Sequence, residues 1–373
     1  MAAFGKSPKA APSSSYDPSL DLIRFFAFFL VFFTHFINGG GNAIQVNKGQ
    51  WWNNQVIQRI ADFGGQGVTL FFGLTGFLLG RLLIREFKDE GTISIKSFYL
   101  RRILRIWPLY FAFIILCGAF NLVANSPTLT AAELPYLATF TYNWGQIFGS
   151  VPGTMATITW SISVEEQIYL FFPLLFIILV KSSAKKYAWI LTIVGLINVV
   201  ACLHIWNINA DRFTPAFLLP VGIGLLSAHY EQKFSQSKKI LWKPLLLSSL
   251  ILAYILTFRD IAGNAAVIGY CGSALLLPGL LYIVRSVDIA QGNIFMRTAV
   301  FIGRRYYGCY LFHWAIWTIM VGRNIFSTNT GGFSIIGVVV GFVATVVISA
   351  FSYRFFETPF LTYRKRFQRV LSP

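Results

Sequence analysis

Apolar residues occur along the chain in long runs separated by shorter polar and basic segments. The runs are close to the length of about 20 residues that a helix needs to cross the hydrocarbon core of a bilayer. A helix also satisfies its own backbone hydrogen bonds, which lipid cannot do. We therefore predict an all-α fold, a polytopic transmembrane helical bundle of about ten spans. The predicted spans are 21–38, 64–84, 104–123, 163–181, 187–206, 213–230, 243–259, 264–284, 299–322 and 333–356.

Basic residues are distributed unevenly between the two sides of this predicted bundle. If the amino terminus is cytoplasmic and the spans alternate, 24 of the 31 Lys and Arg residues fall in cytoplasmic segments and five in outer segments. The positive-inside rule thus favours ten spans with both termini in the cytoplasm. Because this asymmetry explains most of the net charge of +17, we expect membrane lipids with anionic headgroups as partners of these residues, and no nucleic acid.

The composition excludes an ordinary soluble domain. Hydrophobic residues make up 55% of the chain and charged residues 12%, whereas about a quarter of a soluble domain is charged. Residues 1–18 are rich in Ala, Ser and Pro and are predicted to form a disordered cytoplasmic tail. The transmembrane domain is predicted over 19–364, with a retained first span because no cleavage site of small residues follows it. A basic cytoplasmic tail is predicted over 365–373.

The first predicted span carries two ionisable residues, Arg24 and His35. Ionisable residues within spans are costly, which makes them candidates for function. Their separation of 11 residues corresponds to three turns plus about 20° and to about 16 Å along the axis. Both therefore lie on one helix face, which we expect to point into a shared cavity. The alternatives are that Arg24 snorkels to the headgroups and that His35 is an interfacial histidine.

A basic cluster of Arg101, Arg102 and Arg105 precedes the third predicted span. Arg102 and Arg105 are neighbours on a helix because they are three residues apart. Adjacent guanidinium groups suit bidentate binding of phosphate. The simpler interpretation of this pattern alone is the usual excess of basic residues on the cytoplasmic side.

Two adjacent carboxylates, Glu165 and Glu166, stand at the start of the fourth predicted span. Topology does not explain them, since acidic residues contribute little to orientation. Neighbouring residues on a helix point about 100° apart, so the two carboxylates need not share a partner. One of them beside His35 would fix its tautomer and raise its basicity. The alternative is a pair of solvated capping residues.

Further residues allow two interpretations each. His313 in the ninth predicted span suits either a buried hydrogen bond or a functional role. Gly73 and Gly76 permit close approach of a helix or a ligand, and packing is the simpler interpretation. Trp and Tyr residues in the outer segments 39–62 and 124–162 suit membrane anchoring or contacts with sugar rings.

Taken in order, these segments resemble the acyltransferase 3 family of bacterial membrane acyltransferases. The motifs extend over about 19–364. Thr75 stands where the family usually has Ser and keeps the hydroxyl, and Phe312 stands where the family often has Trp. Since no esterase domain follows the last span, the resemblance is to the single-domain type that acetylates O-antigen or exopolysaccharide. The matching motifs are Leu20-Asp21, Arg24 with His35, Phe71–Leu78, Arg102 with Arg105, Trp160–Tyr169, Tyr310–His313 and Phe356–Phe360.

The resemblance implies transfer of an acyl group, usually from acetyl-CoA at the cytoplasmic face, to a hydroxyl of an extracytoplasmic or lipid-linked glycan, with no metal. His35 would be the general base or an acyl relay, and Arg24 would position the donor or stabilise the oxyanion. Glu165 or Glu166 would orient the histidine or bind the sugar.

The resemblance also implies binding residues. The donor phosphates would bind Arg102 and Arg105, and we place Arg101 and Thr75 beside them. Residues on the substrate side are predicted to be Trp160, Ser163 and His313.

Other functions stay open at this point. A macrolide or another small lipophilic acceptor would suit the same chemistry. A secondary transporter or flippase also buries charges at mid-depth, but it predicts paired halves with broken helices, and no such symmetry is visible. A pure interaction role predicts no dependence on His35. We expect a multi-pass protein of the bacterial cytoplasmic (inner) membrane, in an oligomeric state that the sequence leaves open, a homodimer included.

Overall fold

The structure is a computed structural model that describes residues 16–38, 61, 64–122, 128–180, 183–206, 211–236, 265–285, 293–326 and 333–367. Most of the predicted tail 1–18, most of the outer segment 39–62 and the predicted seventh span 243–259 lie outside these residues. Across the described ranges the fold is helical and contains no strand.

Thirteen α-helices are present in the described residues. Short 3₁₀ helices precede α4, α6 and α8, and a π-helical turn over Tyr353–Glu357 joins α12 to α13. The helices are α1 Pro18–Asn38, α2 Gln66–Glu90, α3 Ile95–Phe120, α4 Leu134–Ala138, α5 Tyr142–Ile147, α6 Trp160–Val180, α7 Ala184–His204, α8 Leu218–Gln236, α9 Ala265–Arg285, α10 Ile294–Arg304, α11 Tyr306–Gly322, α12 Ile335–Ser352 and α13 Thr358–Arg364.

Six segments of the described chain are long and apolar enough to cross a membrane. They confirm an all-helical protein with several apolar spans, whereas the count of ten spans and the cytoplasmic position of both termini stay predictions. The six are Pro18–Ile37, Gln66–Glu90, Ile95–Phe120, Met155–Ile178, Ala184–Cys202 and Ile335–Phe367.

Two helix boundaries differ from the prediction in ways that matter for the site. Helix α3 begins at Ile95 because the Ser94 side chain accepts a hydrogen bond from the Ser97 backbone N–H at 3.3 Å and caps the helix. Arg101, Arg102 and Arg105 therefore lie on a helix that begins nine residues before the predicted span 104–123.

The predicted ninth span is divided at Arg305 into α10 and α11.

The segment 124–162, predicted to lie on the outer side, is folded where it is described. Glu133 is fully buried and accepts hydrogen bonds from the hydroxyls of Tyr142 at 2.6 Å and Thr154 at 2.5 Å. Tyr142 is itself fully buried. It is therefore a core residue of this segment, and neither of the interpretations as a membrane anchor or a sugar contact applies to it.

Helix α2 packs closely along α8, where glycines face each other. A Cβ atom at Gly76 would overlap the Val221 backbone, and one at Gly224 would overlap the backbone of Gly73. The packing interpretation of Gly73 and Gly76 is thus supported. This contact fixes α2 against α8, and helix α1 packs across α2, α9, α10 and α11.

We expect Gly76→Ala to destabilise the protein by about 1–3 kcal/mol, because the added methyl group overpacks the contact between α2 and α8. Thermal unfolding of the detergent-solubilised protein measures the change. Gly322→Ala is the matched control, since a Cβ there has no other atom within 4 Å. Equal melting temperatures for the two variants would contradict the packing argument.

Candidate functional site

An arginine-lined cavity lies among α1, α2, α3, α6 and α11. Its volume is about 650 Å³, counting the part that is open to solvent. Arg24, Arg102 and Arg105 line it together with Thr75 and Glu165. Five residues singled out in the sequence, from four different helices, therefore meet at one cavity, which we call the arginine cavity.

An ion pair within α1 holds Arg24 at the arginine cavity. Arg24 forms this ion pair with Asp21, which lies one turn earlier and is buried. Asp21 also accepts a hydrogen bond from the Tyr16 hydroxyl at 2.6 Å. The Arg24 guanidinium lies 5.6 Å from the centre of the Tyr306 ring. With only 15% of its side chain exposed, Arg24 does not snorkel into solvent.

Tyr306 connects two of the arginines. Its hydroxyl accepts a hydrogen bond from Arg105 Nη2 at 2.9 Å, and its ring lies 5.7 Å from the Arg105 guanidinium. The Arg102 guanidinium stacks 5.0 Å from the ring of Tyr169. Its Nε is buried without a hydrogen-bond partner in the described structure. Since an unpaired buried N–H costs free energy, the cavity is suited to an anionic ligand.

Glu165 lies in the arginine cavity, where it accepts hydrogen bonds from Thr75 Oγ1 at 3.2 Å and from the Tyr169 hydroxyl. Glu166 points elsewhere: its Oε2 accepts a hydrogen bond from Trp107 Nε1 at 3.1 Å. The two carboxylates therefore point into different surroundings, as expected for neighbouring residues on a helix. Neither is the hydrogen-bond partner of His35, so the idea that one of them fixes its tautomer is not supported.

His35 is paired with the second candidate histidine. Its Nδ1 lies 2.8 Å from His313 Nε2, and His313 Nδ1 lies 3.2 Å from the Cys309 carbonyl oxygen. Since a carbonyl only accepts, His313 Nδ1 is assigned the proton, and a neutral His313 then has an accepting Nε2. His35 Nδ1–H donates to that nitrogen, which leaves the lone pair of His35 Nε2 available. His313, which is fully buried, thus fixes the tautomer of His35 as expected of a carboxylate, but as a neutral ring it supplies no negative charge that would raise the basicity of His35.

The histidine pair and the arginine cavity are adjacent but separate. His35 is not among the residues that line the arginine cavity, so one cavity shared by Arg24 and His35 stays a prediction. Tyr310 lies between them. It lines the cavity, hydrogen-bonds Ser161 Oγ at 2.6 Å, and its ring centre is 5.6 Å from that of His313.

Trp160 is buried, with the Arg212 guanidinium stacked 4.1 Å from its ring centre, and the indole that contacts His35 is that of Trp314, at 4.9 Å between ring centres. The charge of Arg212 acts on both His35 and Tyr310. Ser163 is fully buried, and its hydroxyl donates to the Thr159 carbonyl oxygen at 3.3 Å. Ser163 is not among the residues that line the arginine cavity. Its predicted contact with the substrate is therefore not supported.

Arg101 is placed away from the arginine cavity. Its Nη2 pairs with the buried Glu86 at 3.3 Å, and its Nη1 donates to the Phe367 carbonyl oxygen at 2.7 Å. The side chain is 6% exposed. The predicted donor-binding role is therefore replaced by a structural one, in which Arg101 holds the segment after α13 against α3.

We expect Arg101→Ala to lower the free energy of unfolding by about 3–5 kcal/mol, because it removes the Arg101 guanidinium from a buried ion pair with Glu86. Chemical denaturation in detergent gives this value, and Arg297→Ala on the exposed face of α10 serves as the control. Donor affinity should stay unchanged in the folded fraction of Arg101→Ala. A stable variant with weakened donor binding would restore the role assigned from the sequence.

Several site residues were not identified from the sequence. Tyr306 and Arg212 belong to no sequence motif, and only their contacts in the structure identify them as site residues. Tyr310, Ser161 and Tyr169 lie within the motifs Trp160–Tyr169 and Tyr310–His313, in which other residues were predicted to form the site. Within the described ranges, no group of three or more His, Cys, Asp or Glu side chains converges to hold a metal ion.

Comparison with known proteins identifies a family and several relatives. Residues 17–354 match a family model described as an acyltransferase domain, Acyl_transf_3. A Staphylococcus aureus (strain COL) protein named as a predicted O-acetyltransferase is 27% identical over 321 residues, which are 80% of this chain and 52% of that protein. The O-acetyltransferase OatA of S. aureus strain NCTC 8325 is 25% identical over 370 residues, 93% of this chain and 57% of OatA.

The chain thus spans about half the length of these curated relatives. No solved structure matches it. The family match extends over most of the chain and includes the ionisable residues of both the arginine cavity and the histidine pair. The chain belongs to the acyltransferase 3 family of membrane acyltransferases.

Proposed function

We propose that this integral membrane protein is an O-acetyltransferase, which moves an acetyl group from acetyl-CoA to a hydroxyl of an extracytoplasmic or lipid-linked glycan in a bacterial inner membrane. The single observation that carries the proposal is the arrangement of two chemically distinct sites next to each other. Three arginines line a cavity, and a histidine with an available lone pair lies just beyond Tyr310.

The arginine cavity suits the donor. Coenzyme A carries several phosphate groups, and guanidinium groups bind phosphate through charge-assisted hydrogen bonds. Arg102 offers a buried N–H without a partner, and Arg105 is oriented by Tyr306. With the phosphates on these two arginines, the pantetheine arm would extend along the cavity towards Tyr310 and Ser161.

The histidine pair suits the acceptor. His35 Nε2 would take the proton from the acceptor hydroxyl as its oxygen attacks the thioester carbonyl. The carbon–sulfur bond then breaks, and the protonated His35 returns the proton to the departing thiolate. While His35 is protonated, its Nδ1–H still donates to His313 Nε2, so the ring keeps its orientation through the reaction. An acyl relay through His35 would use the same geometry.

The relatives support this choice of reaction, because two that match most of the chain are named as O-acetyltransferases. A glycan acceptor accords with the resemblance drawn from the motifs. A small lipophilic acceptor remains the second candidate.

The experiment uses purified protein in detergent, acetyl-CoA labelled in its acetyl group, and cell-envelope glycan isolated from a strain that lacks this protein. We expect release of free CoA thiol, with an equal amount of label in the glycan. A transporter or flippase would release no CoA under these conditions. Absence of both products, with protein that still binds CoA, would overturn the proposal.

A further inference from the structure

A second cavity lies on the other side of Arg102 and Tyr169, between α3 and α6. Its volume is about 880 Å³, counting its open part. Arg102 and Tyr169 line both cavities and so form the wall between them. We call this second cavity the α3–α6 groove. Its other lining residues include Ile103, Trp107, Phe140, Glu166 and Leu170.

The groove opens sideways towards lipid. Both α3 and α6 belong to segments that are long and apolar enough to cross a membrane. Leu170, on the rim of the groove, is 52% exposed, and an exposed leucine on a transmembrane helix faces hydrocarbon. The Tyr99 hydroxyl donates to the Leu170 carbonyl oxygen at 2.7 Å and joins the two helices at one end of the groove. A ligand can thus enter from the bilayer.

Glu166 presents an oxygen without a hydrogen-bond partner in this apolar groove. Glu166 Oε2 accepts the hydrogen bond from Trp107, whereas Glu166 Oε1 is buried with no hydrogen-bond partner in the described structure. A buried unpaired oxygen costs about 1–3 kcal/mol. A hydroxyl group matches this site well, because it can donate to a carboxylate or accept from a protonated carboxyl. A phospholipid chain has no such group.

A polar network leads from the groove to Arg212, whose charge acts on His35. Gln167, which lines the groove, donates to the Phe140 carbonyl oxygen at 2.7 Å and to Asn143 Oδ1 at 2.9 Å. Asn143 donates to the Arg212 carbonyl oxygen at 3.0 Å. Arg212 in turn stacks on Trp160. Polar hydrogen-bonding groups therefore extend from the groove to the surroundings of His35.

We propose that the α3–α6 groove binds the lipid-linked form of the acceptor, with its hydrocarbon chain between the two helices and a sugar hydroxyl on Glu166 Oε1. The inference rests on the proposed function and narrows it, because the acceptor then arrives through the bilayer. The donor and the acceptor occupy opposite sides of the wall formed by Arg102 and Tyr169. The adjacent carboxylates divide accordingly, with Glu165 on the donor side and Glu166 on the acceptor side.

The test is photolabelling of the full chain in lipid nanodiscs. One probe is a farnesyl glucoside with a diazirine on its prenyl chain, and the comparison probe is a phosphatidylcholine with a diazirine in its acyl chain. Ile103→Trp fills the groove, Glu166→Leu removes the hydroxyl partner, and Ile115→Trp is the control on a 71% exposed position of the same helix. Labelled peptides are identified by mass spectrometry.

We expect the glucoside to label residues 99–107 and 166–170, with labelling about tenfold lower in Ile103→Trp and Glu166→Leu and unchanged in Ile115→Trp. Equal labelling of these peptides by phosphatidylcholine, or undiminished labelling in Ile103→Trp, would overturn the inference. Labelling does not require acetyl transfer. If the protein acetylates soluble glycan but the probe does not label the groove, the proposed acceptor site is wrong and the proposed enzyme function stands. If the probe labels the groove but no CoA is released, the proposed enzyme function is wrong.

Discussion

His35→Ala is expected to reduce acetyl transfer by about 10²–10⁴-fold, the usual contribution of a positioned general base, and by more if His35 carries the acyl group. The physical reason is the hydrogen-bond arrangement. His313 accepts from His35 Nδ1 at 2.8 Å, which directs the lone pair of Nε2 to the reacting hydroxyl. CoA release in detergent, with labelled acetyl-CoA and envelope glycan, measures the loss.

Two further variants separate catalysis from folding. His204→Ala, at the exposed end of α7, should keep full activity. His313→Ala should lose about tenfold, because His35 keeps its base but loses the partner that fixes its tautomer. All three proteins should insert into the membrane and elute from size-exclusion chromatography as the wild type does. Retained glycan acetylation in His35→Ala would remove the assigned base.

Periodicity and hydrophobic length were sufficient to predict the helical class and the location of most helices. The long apolar runs carry that information directly, because each span satisfies its own backbone. The division at Arg305 and the early start of α3 were not predicted. Both depend on local hydrogen bonds: Ser94 caps α3, and the Arg305 backbone N–H bonds the Ile302 carbonyl at 2.8 Å as α10 ends.

The site was predictable only in part, for a different reason. Spacing placed Arg24 and His35 on one face of α1 and separated the directions of Glu165 and Glu166, since both arguments use a single helix. The spacing of residues along one helix does not show which side chains of another helix they contact. The contact of His35 with His313, 278 residues away, and the clamp of Arg101 on Phe367 depend on how the bundle packs. Interpretations that required such contacts were therefore the ones that needed correction.

The double variant Arg102→Ala with Arg105→Ala is expected to weaken CoA binding by about 100-fold. A hydrogen bond to a charged group contributes about 1.5–3 kcal/mol, which is about 10–100-fold in Kd for each arginine. The two losses need not add, because the guanidinium groups would share one ligand. Isothermal titration calorimetry with CoA, at two salt concentrations, measures the affinity and its electrostatic part.

The controls follow from the contacts of each arginine. Arg105→Lys keeps the charge but loses the planar guanidinium that donates to Tyr306 at 2.9 Å, so it should bind CoA with intermediate affinity. Arg297→Ala removes an exposed positive charge elsewhere and should leave Kd unchanged. Unchanged affinity in the double variant would show that these arginines serve membrane topology alone. Arg102 also borders the α3–α6 groove. If the double variant binds CoA more weakly but is still labelled by the farnesyl glucoside, the positive charge of Arg102 serves donor binding and not acceptor binding.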